Sequence, residues 1–355
     1  MILPRNAQLW LPGYLGAALR SRRQPRSIRR VWFTIADHFE PFRGRADLEK
    51  ARSRVASWSL AWPAIASRHT DSAGRSPVYT FFYPEEEYHP ALIDPLSKLA
   101  RAGIADVEVH IHHDREGEQN FVDRISRFTE TLHSRHGLLH QEDGQVRFGF
   151  IHGNWALDNS LPDGRWCGLN NELILLRELG CYADFTLPSA PSASQTRIVN
   201  TIYWAIDDPK LPKSHDSGVP LTPGSSASGD LLMIPGPLAL NWTERSHGVL
   251  PRLETGELAA HNPITRKRVR LWLEFAPMIG GDLFLKVFAH GALEPNARHL
   301  LEGDLDRTLQ LLVDECRQRS AVLHFVSAWE MREAVMALVD MQDEAVSFAV
   351  GGLKS

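Results

Sequence analysis

The chain has no apolar run of 18 residues, so nothing in it reads as a membrane-spanning helix. It has no excess of positive charge: 39 Lys and Arg stand against 43 Asp and Glu, a net of −4, and no basic field argues for nucleic acid. Cysteine is scarce. Cys167, Cys181 and Cys316 lie far apart without CxxC spacing, which argues against a disulfide framework and for a reducing, cytoplasmic setting. Internal repeats and low-complexity tracts are missing too, so 355 residues form one core of barrel size or two smaller ones. Histidine, by contrast, is abundant, and its 16 copies cluster.

The N-terminus lacks the form of a secretion signal. Leu9 to Leu19 is apolar, but Pro12 and Gly13 interrupt it, and Arg20, Arg22, Arg23, Arg26, Arg29 and Arg30 follow on the wrong side. Residues 9–30 fit either an apolar arm packed on the body or a peripheral contact with an anionic membrane.

The densest chemistry lies in VEVHIHHD, Val107 to Asp114. Side chains alternate faces along a strand, so Glu108, His110 and His112 point one way while Val107, Val109 and Ile111 point toward the packing layer. Two imidazoles two residues apart on one face can converge on a small cation. Hydrogen-bonded polar residues at a strand end are the plainer alternative.

Around this stretch a rhythm of apolar strand, polar exit and amphipathic helix recurs. Strands are expected in Val31 to Phe42, Val78 to Tyr83, Arg147 to Trp155, Cys181 to Pro188, Thr201 to Asp207, Leu231 to Pro237, Leu283 to Gly291 and Val322 to Val326. Helices are expected in Asp47 to Ala66, His89 to Arg101, Glu118 to His136, Asn170 to Leu179 and Lys267 to Phe275, and around Leu305 to Cys316. Ser327 and Glu330 form a capping box for a last helix to Val339. Pro209 to Gly229 is rich in Pro, Ser, Gly and Asp and reads as a long loop. The rhythm predicts an α/β fold with a largely parallel sheet, closed at this length into a (β/α) barrel. Its strand ends would carry Asp37 and His38, His110 and His112, His152, Asp184 and His290 to one rim.

These stretches resemble the polysaccharide deacetylase family, carbohydrate esterase family 4, over roughly Arg30 to Val339. The resemblance implies a distorted (β/α)7-type barrel in a single domain with long inserted loops. It divides the chain into an arm (1–29), a barrel (30–340) with an insertion at about 208–230, and a tail (341–355). The family opens on Thr-Phe-Asp-Asp, a catalytic base followed by a metal ligand. Here Thr34-Ile35-Ala36-Asp37 puts Asp37 on the ligand and Ala36 where the base belongs. His112 falls on the first histidine of the second motif, but Glu116 holds the later position, leaving His110, His113 or Asp114 to complete the set. Phe150 to Trp155 takes the place of the motif that orients the base, without its Arg. The apolar strand ending at His290 matches the motif whose His protonates the leaving group.

The resemblance implies metal-assisted hydrolysis of an acetyl amide or ester on a surface polysaccharide or exopolysaccharide. Asp37, His110, His112 and Asp114 are the candidate ligands of a divalent ion, with zinc expected. His290 is the candidate acid, and His38 or His152 a substitute base. Trp155, Asn154, Asp184 and His215 are candidates for saccharide contact, with Trp204 and Trp242 as further stacking surfaces. Two other readings stay open: a glycosidase using carboxylates among Glu40, Asp158 and Asp184, and a non-catalytic saccharide-binding barrel that lost its base at Ala36.

Overall fold

A computed structural model describes residues 3–23, 27–225, 228–246 and 250–340. The expected tail at 341–355 lies outside the described residues, as do the side chains of Arg20, Arg22, Arg23 and Arg26.

The first half runs α1 Ala7–Arg23, β1 Arg30–His38, α2 Leu48–Ala66, β2 Tyr79–Pro84, α3 Pro90–Arg101, β3 Ala105–Ile111 and α4 Glu118–His136. It continues with β4 His140–Glu142, β5 Gln145–His152, α5 Glu172–Glu178 and β6 Cys181–Asp184. Short strands follow: β7 Tyr203–Ala205, β8 Gly218–Pro220, β9 Leu231–Met233, β10 Ala239–Ser246, β11 Leu250–Glu254 and β12 Glu257–Leu258. The chain ends with α6 Arg266–Phe275, β13 Met278–Ile279, β14 Asp282–Ala289, α7 Glu294–His299, α8 Leu305–Gln318, β15 Val322–Phe325 and α9 Ala328–Val339.

Local chemistry explains the clearest boundaries. In α4, Phe121, Ile125, Phe128 and Leu132 make one buried stripe, each side chain contributing about 1.5–3 kcal/mol. Gly137 ends that helix at φ 64. Asp47 caps α2 by accepting from the Lys50 amide, and the Ser327–Glu330 box caps α9.

The fold is α/β. Its central strands β14, β1, β2, β3, β5 and β6 run parallel, in that order, and β15 also pairs with β1. The expected closed barrel is not formed: among the described residues the sheet is an open path from β12 to β8. One end is the antiparallel β7–β8 hairpin of three-residue strands, and the β14 edge is covered only by the two-residue β12 and β13. These pieces are too short to complete a ring. Instead, Lys286 of β14 reaches across the inner face and donates to the carbonyls of Phe185 and Leu187, at 2.8 and 2.7 Å.

Two apolar layers result. Phe33, Ile35, Phe81, Val107, Val109 and Leu285 face the helices. Trp32, Ala36, Phe82, Ile151, Tyr182 and Phe284 face inward, where Met331 and Val335 of α9 cover them. The apolar arm is the helix α1, which runs through Pro12 and Gly13. Trp10 and Tyr14 bury against Val199, Leu238, Leu271 and Phe275, and Tyr14 stacks on Phe275 at 5.2 Å. No helix among the described residues is long and apolar enough to cross a membrane.

Candidate metal centre

The alternation of β1 and β3 sorts their polar ends. His38 follows Ala36 onto the inner face, and His110 follows Glu108 there, so the two rings meet at 5.2 Å. His112 continues the same face of β3, with its ring 4.6 Å from His110. Beyond β1 the alternation continues through Phe39, on the helix side, and brings Glu40 under both imidazoles. Glu40 Oε1 lies 3.0 Å from His112 Nε2 and 3.7 Å from His110 Nε2. Gly153 permits this crowding, because a Cβ there would lie 2.4 Å from the His112 ring.

The outer nitrogens fix the tautomers. His110 Nδ1 is 2.8 Å from the Ile151 carbonyl, which only accepts, so Nδ1 carries the hydrogen. His112 Nδ1 is 2.5 Å from Glu86 Oε1. Both Nε2 atoms turn toward a Glu40 oxygen, an arrangement that a proton or a metal cation between them satisfies. His110 Nε2 is buried and has no hydrogen-bond partner. In the metal-free chain a proton fills that place: burial pushes His112 down, but Glu40 and Glu86 outweigh it and raise its pKa to about 9. Burial pushes Glu40 up, yet His110 and His112 hold it well below the ordinary carboxylate range. Arg43 takes the other oxygen of Glu40. Two imidazoles and one carboxylate, each with an outer partner, suit a divalent ion that keeps open coordination positions.

Aromatic rings wall this centre. His290, at the end of β14, stacks on His38 at 4.8 Å, and Trp155 lies 5.7 Å from His290 and 5.6 Å from His38. Burial lowers the His290 pKa to about 4 against the pull of Glu40, so the ring is neutral near pH 7. Asn154 takes a left-handed conformation, φ 56, in the turn that presents Trp155.

Other expected site residues stand elsewhere. Asp37 points to the helix face, where it accepts from the Gly291 amide at 2.7 Å and from Tyr79 Oη at 3.0 Å. Asp114 is exposed and caps the Trp166 amide at 2.6 Å. His152 lies fully buried with His113, Cys167 and Glu172, a group separate from the Glu40 cluster. Asp184 accepts from Thr186 through both oxygens. His215 is buried, and its carbonyl accepts from Tyr203 Oη. Of the carboxylates considered for glycosidase chemistry, Glu40 engages imidazoles, Asp158 the Ser214 amide, and Asp184 Thr186.

Glu40 and Glu86 were missed as partners of the histidines. The signal for Glu40 was available: it stands two residues after His38 and keeps the alternation of β1. Glu86 carries no such mark, since only the β2–β3 register brings its turn beside His112.

No family model matches the chain, and no curated protein matches it. Among solved structures, it is similar to the Xyl-CE4 domain of a multidomain xylanase from the hindgut metagenome of Trinervitermes trinervoides. That match has a TM-score of 0.35 and 10% identity, covering 86% of this chain and 90% of the other.

Proposed function

We propose that this chain is a metal-dependent hydrolase that removes acetyl groups from saccharides at the Glu40–His110–His112 centre. The observation that carries the reading is the convergence of two imidazole Nε2 atoms on one carboxylate oxygen, with both Nδ1 atoms already tied to acceptors. Glu40, His110 and His112 would hold a divalent ion such as zinc, which when bound would supply Lewis-acid polarisation of an acyl carbonyl and a lowered pKa of water, toward ~7.

The chain's own groups do the rest. Ala36 leaves no carboxylate where the motif resemblance puts a base. His290, neutral and beside the cluster, accepts the proton of the attacking water at an imidazole nitrogen and returns it to the departing amine or alkoxide. His38 holds the His290 ring by stacking, and Trp155 offers a flat apolar face to a sugar ring. The acetyl and saccharide parts of the proposal rest on that motif order and on Trp155.

Acetate release from N- and O-acetylated oligosaccharides tests it, using zinc-loaded wild type and His290→Ala. The expected loss is about 10²–10⁴-fold with metal content unchanged. Undiminished release from His290→Ala overturns its role, and a zinc-loaded wild type that releases no acetate from any substrate overturns the deacetylase assignment.

A further inference from the structure

We infer that the chain holds a second, structural zinc-class ion at His113, His152, Cys167 and Glu172. This site is distinct from the Glu40 cluster and goes beyond the proposed activity. The four side chains are buried, and their ligand atoms lie within 4.8 Å of one another. His113 Nε2 is 3.0 Å from Glu172 Oε1, His152 Nε2 is 3.4 Å from the same oxygen, and Cys167 Sγ is 3.4 Å from Glu172 Oε2. Ligands bonded at 2.0–2.3 Å around a tetrahedral zinc stand about 3.3–3.6 Å apart. The two imidazole separations from Glu172 Oε1 fall close to those edges, and Cys167 Sγ reaches the same carboxylate at its other oxygen.

The protonation pattern supplies the independent argument. His152 Nδ1 sits 2.5 Å from the Gly153 carbonyl and must carry the hydrogen. Its Nε2 lone pair then faces a carboxylate oxygen in a fully buried place, and Nε2 has no hydrogen-bond partner. Two lone pairs at that distance repel unless a cation joins them. The outer contacts also suit ligands: Cys167 Sγ accepts the Asn159 amide at 3.1 Å, and Glu172 Oε2 accepts the Asp158 amide at 2.6 Å.

Four protein ligands including a thiolate leave no open position, which marks a structural ion and disfavours magnesium or calcium. Its place in the fold gives it work. Residues 153–171 join β5 to α5 without a regular strand or α-helix, and Trp155 stands in them. The ion would pin this long connection to the ends of β3 and β5. Gly168, at φ +111, lets the connection close over residues 115–116, since a Cβ there would lie 2.6 Å from the Glu116 nitrogen. The Glu116 amide donates to the Cys167 carbonyl at 2.8 Å.

Cobalt(II) substitution of the full chain tests the site, because thiolate ligation gives a near-ultraviolet sulfur-to-cobalt charge-transfer band. The band is expected in wild type, in Glu40→Ala and in the double variant Cys181→Ser/Cys316→Ser, which leaves Cys167 as the sole thiol. It is expected to vanish in Cys167→Ser. A folded, cobalt-loaded wild type or double variant without the band overturns the inference, as does a band that survives Cys167→Ser. If Cys167→Ser fails to fold, the double variant decides. Persistence of the band in Glu40→Ala keeps this result independent of the proposed hydrolase centre.

Discussion

Replacing Glu86 by Gln should weaken metal binding at the Glu40 centre without touching a ligand. Glu86 Oε1 sits 2.5 Å from His112 Nδ1, and Glu86 also accepts the His112 amide at 3.2 Å. It is ionised: burial pushes its pKa up, but His112 pulls it below the ordinary value. A carboxylate on the outer nitrogen makes the inner one a stronger donor, and losing such a partner typically weakens binding 10–100-fold, about 1.4–2.7 kcal/mol. Because the Glu86 side chain keeps 31% exposure, water and salt screen its charge, and the loss should fall near tenfold. Gln preserves size and one acceptor, so the circular dichroism spectrum should not change. Competition with a chromophoric zinc chelator, read on the equivalent that Glu40→Ala abolishes, measures the shift. A folded Glu86→Gln chain that binds zinc as tightly as wild type refutes the reasoning.

Three further outcomes follow from individual side chains. Burial lowers the Lys286 pKa to about 7 against the pull of Asp184. Between that value and 10.5 the unfolded chain binds a proton that the native one does not, so stability rises with pH by up to about 1.4 kcal/mol per unit. Urea unfolding should show this slope in wild type relative to Lys286→Met; parallel profiles would refute it. Arg268 and Glu254 form a fully buried pair, with Arg268 Nε 2.7 Å from Glu254 Oε2 and Trp272 Nε1 2.8 Å from Oε1. Arg268→Met leaves that carboxylate uncompensated and should cost about 3–5 kcal/mol in urea unfolding, partly recovered by adding Glu254→Leu; a loss below about 1 kcal/mol contradicts this. Trp155→Ala should raise KM for acetylated oligosaccharides more than it lowers kcat, and an unchanged KM removes Trp155 as a binding surface.

Much of the frame was readable because local signals agree with tertiary demand. The four-three-four stripe of α4 with Gly137, the box at Ser327 and the apolar runs of β1, β3 and β14 each state their element. The sheet's open edge was not readable: closure depends on strands such as β7, β8 and β12, whose two or three residues carry no periodicity. The β10–β11 hairpin was missed for a related reason, since Trp242 to Arg245 interrupts its apolar pattern with polar residues and a register shift. At the centre, the face shared by His110 and His112 followed from a period of two. The same period places Asp37 opposite His38, but motif resemblance gave Asp37 a ligand's role. His113, Cys167 and Glu172 lie up to 59 residues apart, and only the return of the β5–α5 connection unites them.

Metal equivalents per folded chain, counted by elemental mass spectrometry in wild type, Glu40→Ala and Cys167→Ser, test the central claim most directly. The centre formed by Glu40, His110 and His112 predicts that Glu40→Ala loses one equivalent of divalent metal, which Cys167→Ser retains. A folded wild type with no metal after purification in zinc, or a Glu40→Ala chain with the full wild-type content, would contradict it.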